Sequence, residues 1–245
     1  MSASYLAGIH AVREALRAGR RIETLIVARE AKNPRLQPIL NECRRLKIPI
    51  RRETGSLLDR LAGGLPHQGV LAGVTQVTSA SLGNIIDGLD HPGLFVILDG
   101  VEDPHNLGAI IRSAYAAGAD AIVIPERRSA KLTEIVSKVA AGALEYLPVV
   151  RMTNIKHAVT KLKAAGFWIY GFDERAEQVY TDAGYDGNVA LIFGGEGEGL
   201  RRQAMKHCDF LVKIPAAGCI ASLNVSVAAG VALFEVLRQR RTRRK

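Results

Sequence analysis

Apolar residues recur at two different periods along the first third of the chain. IHAVREALRAG (9–19) and PRLQPILNECRRLK (34–47) place them three or four positions apart, as on one face of a helix. Between these segments, TLIVA (24–28) is a short apolar run of strand length. Further strand, helix and strand patterns follow, so residues 1–75 are predicted to form a small α/β unit.

Residues 76–92 lack a sustained pattern of either period. They are rich in Ser, Thr, Gly and Asp, which favour turns and loops over regular elements. We therefore expect a linker with one or two helical turns at most.

From residue 93 to residue 245, strand and helix patterns alternate again. LFVILDG (94–100) is an almost continuous apolar run, which is typical of a parallel strand buried on both faces. AIVIP, PVVRM, WIYGFD, VALIFG and DFLVKI are further strand candidates, and helices are predicted between them, one of them over 131–147. This alternation predicts a parallel sheet covered by helices on both faces.

The last helix is predicted to begin near Ser222, which could cap it. The expected buried stripe of this helix follows a helical period: Leu223, Val227, Val231, Phe234 and Leu237.

Charge is distributed unevenly over the 245 residues, which carry a net charge of +9. Residues 1–75 hold 13 Lys and Arg against 6 Asp and Glu, and six of the last eight residues are basic. Such an excess predicts a polyanionic partner such as RNA. Because Tyr5 is the only aromatic residue before residue 76, phosphate contacts and shape recognition are favoured there over base stacking.

Several classes of protein are not supported by the sequence. No apolar segment has the length of a membrane span, and the first residues resemble neither a signal nor a transit peptide, so we expect a soluble, cytoplasmic protein. The six histidines contain no HxxxH pair, and Cys43, Cys208 and Cys219 have no metal-binding spacing. We expect free thiols and no metal, and we expect Cys219 to line a pocket without taking part in the chemistry.

The loop DGVEDPHNLGAIIR (99–112) is the first of three that combine glycine with polar residues. In the helix that follows, Arg112 lies off the apolar stripe of Leu107, Ile110 and Ile111. Asn106 could cap that helix and Arg112 could face solvent, or both could belong to a site.

The second loop, FGGEGEGL (193–200), does not fit the common nucleotide-binding motifs. The third glycine of G-x-G-x-x-G is replaced by Leu200, and no Gly-Lys-Ser/Thr follows. Because Glu196 and Glu198 would repel a pyrophosphate, a cationic or hydroxyl-bearing ligand is favoured.

The third loop, IPAAGCIASLN (214–224), leads into the last helix. Ser222, Asn224 and Ser226 are polar positions in an otherwise apolar run, and they indicate either a helix cap or the floor of a pocket. Since all three loops follow strands of one parallel sheet, they are expected to meet at its carboxyl edge, where ligands bind.

Together the three loops resemble the SpoU branch of the SPOUT RNA methyltransferases. The pattern N-x-G-x-x-x-R runs from Asn106 to Arg112, and GGEGEGL and IPAAGCIASLNVS match the second and third motifs. GIHAVREAL and HQGV are similar to the small ribosomal-protein-L30e-like substrate-binding domain of the family. One departure is Ala216, where the family usually has Met.

The resemblance implies an α/β fold in which residues 93–245 form a SPOUT domain with a trefoil knot and residues 1–75 an L30e-like domain. It also implies a homodimer with the site near the subunit interface. Spacing and periodicity alone would have predicted an open Rossmann-like sheet, since threaded chains are rare.

The implied reaction moves a methyl group from S-adenosylmethionine to the ribose 2′-hydroxyl of a guanosine in 23S ribosomal RNA, without a metal. The implied catalytic residues are Arg112, Asn106, Glu196, Ser222 and Asn224. The implied cofactor-contact positions are Gly194, Ile214 and Leu223, with Gly195 and Gly197 shaping the same loop.

The family proposal makes Arg112 a proton acceptor. Because a guanidinium is hardly ever neutral in a protein, we expect Arg112 instead to hold the adjacent phosphate and to stabilise charge on the 2′-oxygen. Asn106 is expected to orient Arg112 or the ribose.

Three alternatives remain open at this point. A tRNA 2′-O-methyltransferase of the same family is the nearest, although the separate basic N-terminal domain favours ribosomal RNA. An inactive RNA-binding module is disfavoured by the intact Asn106, Arg112, Glu196 and Asn224. A nicotinamide-dependent dehydrogenase is disfavoured by the incomplete glycine motif.

Overall fold

The computed structural model describes residues 4–31, 33–74, 81–197, 199–218 and 222–243. The chain divides into two compact units, Met1–Thr78 and Ser79–Lys245. Among the described residues, no helix combines the length and the apolar character needed to span a membrane.

The first unit is a four-stranded sheet with helices, as the alternating pattern predicts. Its strand order is β1-β4-β2-β3, in which β2 and β3 are parallel and the other two pairs are antiparallel. The strands are β1 (Ser4–Ala7), β2 (Ile22–Ala28), β3 (Ile50–Glu53) and β4 (Val70–Val74). The helices are α1 (Ile9–Arg17), α2 (Gln37–Arg45) and α3 (Gly55–Ala62).

Strand β1 is absent from the sequence prediction, which began directly with a helix. Tyr5 of β1 lies opposite Gly73 of β4, so this short segment is stabilised by pairing with the far end of the unit. Gly8 then takes a φ of 96°, a conformation that suits glycine, and the chain turns into α1. Four residues are too few to show a period, and only the tertiary pairing identifies them.

The second unit contains a seven-stranded parallel sheet with the order β7-β6-β5-β10-β8-β11-β9. The strands are β5 (Leu94–Asp99), β6 (Ala121–Pro125), β7 (Val149–Met152), β8 (Trp168–Phe172), β9 (Gln178–Val179), β10 (Val189–Gly194) and β11 (Phe210–Lys213). The helices are α4 (Leu82–Asp87), α5 (Pro104–Ala116), α6 (Glu134–Ala140), α7 (Ile155–Ala164), α8 (Arg202–Met205) and α9 (Val225–Arg243).

Strand β5 is apolar at its first five positions because both of its faces are buried. Val96 and Leu98 point into a core formed with α5, α6 and α9, whereas Phe95 and Ile97 point into a second core with α4, α7 and α8. All six residues of β5 are buried, so the predicted double burial is observed. Helix α4 lies within the predicted linker, and its Leu82 is packed in the second core.

Two predicted helix boundaries are wrong. The helix expected over 131–147 is divided into α6 and a short 3₁₀ turn, because Ala141 and Gly142 take φ values of 51° and 92°. The last helix begins at Val225 rather than near Ser222. Its first turn is capped by Asn224, whose Oδ1 accepts the backbone N–H of Ser226 at 2.9 Å.

The buried stripe predicted for α9 is also wrong. Val227 and Phe234 are each 51% exposed, and Leu223 just before the helix is 46% exposed. The residues that pack into the core are Ala229, Ala232, Leu233 and Val236. Apolar residues lie on more than one side of α9, so periodicity alone selected the wrong face.

Arg240 fastens the end of α9 to the sheet. Its guanidinium donates hydrogen bonds to the carbonyls of Pro92, Gly93, Tyr185 and Gly187 at 2.8–3.1 Å. Four carbonyls that precede β5 and β10 are therefore satisfied by one side chain.

We predict that Arg240→Met lowers the free energy of unfolding by about 2–4 kcal/mol, because hydrogen bonds from a charged donor are lost. The melting temperature should fall by roughly 5–10 °C. Arg202→Met, at an exposed arginine of α8, is the matched control and should change it by less than about 2 °C. Equal melting temperatures for the two variants would contradict the assignment.

Candidate functional site

Asn106 lies in the first turn of α5, where the chain leaves β5. The helix is capped by Asp103, whose Oδ1 accepts the N–H of His105 at 2.9 Å, so Asn106 is not the cap. Its side chain is only 7% exposed, and a buried amide needs hydrogen-bond partners. Gly108 of the same motif allows α6 to approach, since a Cβ there would lie 2.7 Å from Cβ of Val139.

The glycine loop, described at residues 194–197, 199 and 200, folds back on itself at the end of β10. Gly195 and Gly199 form an isolated antiparallel bridge, and a Cβ on Gly194 would lie 1.9 Å from the carbonyl oxygen of Gly199. A Cβ on Gly195 would likewise lie 2.0 Å from the carbonyl oxygen of Gly100. Gly194 and Gly195 are therefore required by close backbone packing.

Three of the predicted site residues are joined by direct hydrogen bonds. Asn106 Nδ2 donates to Oε1 of Glu196 at 2.6 Å, and Asn224 Nδ2 donates to Oδ1 of Asn106 at 3.0 Å. Asn224 is held in turn by Ser226, whose Oγ donates to its Oδ1 at 2.6 Å. The first, second and third loops thus meet at one amide.

A cavity of about 570 Å³ lies beside this network. Its size is in the usual range for a small-molecule site. Among its lining residues are the predicted positions Gly194, Gly195, Glu196, Gly197, Ile214, Ser222, Leu223 and Asn224. Glu198 and Cys219, also considered in the sequence analysis, lie outside the described residues.

Arg112 is placed differently from the other predicted site residues. It is exposed on α5, about 9 Å further along the helix axis than Asn106, and it does not line the cavity. Within the described part of the chain, its guanidinium has no hydrogen-bond or ion-pair partner. The structure therefore leaves its donors available, and its predicted role stays a prediction.

The sequence analysis missed the residues that follow β8. Asp173, Glu174 and Arg175 line the cavity, together with Phe172 at the end of the strand. The available signal was the run FDER directly after a strand pattern, because the carboxyl ends of parallel strands lie at one edge of the sheet.

The cysteines and the other titratable side chains give no sign of a nucleophile or a metal site in the described residues. Burial raises the pKa of Cys43 to about 11 and that of Cys208 to about 12, so neither thiol is ionised at neutral pH. No three His, Cys, Asp or Glu side chains of this part of the chain come together as metal ligands.

Comparison with known proteins identifies the family of the chain. Residues 93–234 match the SpoU rRNA Methylase family, and residues 5–80 match a domain described as RNA 2′-O ribose methyltransferase substrate binding. The chain belongs to the SpoU rRNA methylase family.

Two curated relatives are similar to the chain over nearly its whole length. The 23S rRNA (guanosine-2′-O-)-methyltransferase RlmB of Photobacterium profundum is 44% identical, with 98% of this chain and 99% of the relative covered. RlmB of Vibrio cholerae is 43% identical, with 100% of both chains covered.

Solved structures share the fold. The SpoU methyltransferase AviRb from Streptomyces viridochromogenes matches with a TM-score of 0.84 and 26% identity, over 98% of this chain and 90% of that one. Its complex with the cofactor AdoMet matches with a TM-score of 0.83, at 26% identity and over 98% and 91% of the two chains. A. aeolicus TrmH/SpoU tRNA modifying enzyme matches with a TM-score of 0.57 and 28% identity, over 66% of this chain and 83% of that one.

We predict that Asn106→Asp destabilises the second unit at neutral pH, because its new carboxylate faces Glu196 at hydrogen-bond distance. At lower pH the two carboxyls can share a proton, so the loss of stability should shrink as the pH falls. Thermal unfolding between pH 8 and pH 5 measures this.

Asn106→Ala is the matched control, because it removes the amide without adding charge. Its loss of stability should be similar at every pH in that range. If the melting temperatures of the two variants change in parallel with pH, Asn106 and Glu196 are not in contact.

Proposed function

We propose that the chain transfers a methyl group from S-adenosylmethionine to the 2′-hydroxyl of a guanosine ribose in 23S ribosomal RNA, in the cytoplasm. The observation that carries the proposal is the Asn106–Glu196–Asn224 network beside the cavity. Full-length similarity to two 23S rRNA methyltransferases supports the choice of substrate. The tRNA alternative is less favoured, since the match to a tRNA-modifying enzyme covers only 66% of the chain.

The composition of the cavity fits this cofactor. Among the described lining residues, Asp173, Glu174 and Glu196 contribute carboxylates and Arg175 contributes a guanidinium. A cationic sulfonium and ribose hydroxyls suit such a lining, and the backbone of the glycine loop can approach adenosine closely. When bound, S-adenosylmethionine supplies an electrophilic methyl group on a cationic sulfur, so the protein needs chiefly to align the acceptor oxygen.

The side chains of the network have complementary roles in this proposal. Asn106 holds Glu196 in place, and the Glu196 carboxylate also accepts the N–H of Glu102 at 3.4 Å. Glu196 can therefore orient a polar group within the cavity without moving. Arg112 holds the phosphate next to the acceptor ribose and stabilises negative charge on the 2′-oxygen as the hydroxyl proton leaves.

The first unit is proposed to bind the RNA. Its exposed basic side chains include Arg44, Arg45, Arg51 and Arg52, and they suit phosphate contacts over a broad surface. This assignment agrees with the description of the family that matches residues 5–80.

The proposed function is tested by mapping ribose methylation in 23S rRNA from cells with and without the gene. One 2′-O-methylguanosine should disappear in the deletion strain and return with the wild-type chain. Arg112→Ala should lower methyl transfer in vitro by at least about 100-fold, with unchanged thermal unfolding, because charge stabilisation at the reacting oxygen is lost. A methylation map unchanged by deletion, or loss of a tRNA mark instead, would contradict the proposal.

We also propose that the chain is a homodimer that uses the exposed apolar side of α9. Val227 and Phe234 are seven positions apart and half-exposed, which is unusual for large apolar side chains on one helix. The dimer that the family resemblance implies would cover them. The trefoil knot implied in the same way stays a prediction.

Phe234→Glu is predicted to shift the protein from dimer to monomer, since a carboxylate would be buried in the apolar interface. Light scattering after size-exclusion chromatography measures the mass. Leu46→Glu, at an exposed leucine of the first unit, should leave the mass unchanged. A dimeric Phe234→Glu variant would place the interface elsewhere.

A further inference from the structure

An ion pair directly after β8 lies outside the three sequence motifs. The Asp173 side chain is 2% exposed, and the Arg175 side chain is 53% exposed. Arg175 donates from its backbone N and from Nε to Oδ1 at 3.0 and 2.7 Å, and from Nη2 to Oδ2 at 2.8 Å. The two residues therefore form a bidentate pair of fixed geometry.

The Asp173–Arg175 pair also forms hydrogen bonds with both main-chain polar groups of Leu200. The N–H of Leu200 donates to Oδ2 of Asp173 at 3.2 Å, and the carbonyl oxygen of Leu200 accepts from Nη2 of Arg175 at 3.0 Å. Leu200 is the last residue of the glycine loop and is itself buried. A loop of glycines has many accessible conformations, so contacts at its ends restrict it strongly.

The glycine loop is held at three places along its length. At its start, the N–H of Gly195 donates to the carbonyl oxygen of Asp99 at 3.0 Å. In its middle, Glu196 is held by Asn106, and at its end Leu200 is held by the ion pair. Asp173 and Arg175 themselves also line the cavity.

We propose that Asp173 and Arg175 are positioning residues for cofactor binding, which act by holding Leu200 and thereby the cavity-facing conformation of the glycine loop. This inference rests on the proposed function, because it assigns the cavity to S-adenosylmethionine. The hydrogen bonds from Arg175 keep the pKa of Asp173 below its usual range. The carboxylate consequently stays ionised, and the pair stays intact, at neutral pH.

A second ion pair, next to the start of β8, offers a matched control. Asp209 accepts the N–H of Ile169 at 2.9 Å and pairs with Lys163 at 2.5 Å. This carboxylate also joins a cation and a backbone N–H, but neither residue lines the cavity. Lys163→Gln thus disrupts a comparable pair next to the start of β8 without touching the glycine loop.

The test uses the full-length chain and calorimetric titration with S-adenosylhomocysteine, together with steady-state kinetics. Arg175→Gln should raise the Kd for S-adenosylhomocysteine and the KM for S-adenosylmethionine by about 5- to 30-fold, with kcat changed by less than about 3-fold. Lys163→Gln should leave Kd and KM unchanged. Arg175→Lys should give an intermediate Kd, because an ammonium cannot match the planar fork that bonds Asp173 and Leu200 together.

The double variant Asp173→Asn/Arg175→Gln should lose about as much affinity as the weaker-binding single variant, because both residues hold the backbone of the same residue, Leu200. A change in Kd of less than about 2-fold for Arg175→Gln, or an equal change for Lys163→Gln, would overturn the inference. If Arg175→Gln does not fold, the Kd of Arg175→Lys is compared with that of Lys163→Gln instead. Failure of the wild-type chain to bind S-adenosylhomocysteine would instead remove the proposed function, and this inference with it.

Discussion

The side-chain amide of Asn106 is the contact on which the candidate site depends, because it joins three segments that are distant in sequence. It donates to Glu196, 90 residues later, and accepts from Asn224, 118 residues later. An amide suits this position, since it can donate and accept at once while remaining uncharged in a buried place. A carboxylate or an amine there would satisfy one neighbour and leave the other without a partner.

The sheet makes this meeting possible. Strands β5 and β10 are adjacent and parallel, so the loops that follow them emerge at the same edge. Strand β5 is buried on both faces, and the glycine loop packs its backbone against Gly100 at the end of that strand. A rigid double-sided core therefore supports the glycine loop at the edge of the sheet.

The properties that an RNA-modifying enzyme needs are distributed between the two units. The first unit holds most of the net positive charge, which favours association with a polyanion. The second unit holds the carboxylates, the amides and the glycine loop. Apart from Arg112, the predicted site residues of the second unit lie at the cavity or in the network beside it. Arg112 is exposed on α5, where it remains available to an RNA phosphate.

Local chemistry in the sequence was sufficient for part of this structure. The apolar run of β5, the stripe of α5 and the three polar loops could be predicted from the sequence. Burial on both faces of a strand, the period of a helix and the succession of strand and loop each produce a recognisable pattern of residue types. Tertiary structure alone decided the rest. Pairing with β4 defines β1, α9 buries Ala229 and Leu233 and leaves Phe234 exposed, and Asp173 and Arg175 meet Leu200. Each of these depends on which surfaces come together across the fold, and a one-dimensional pattern contains no information on that.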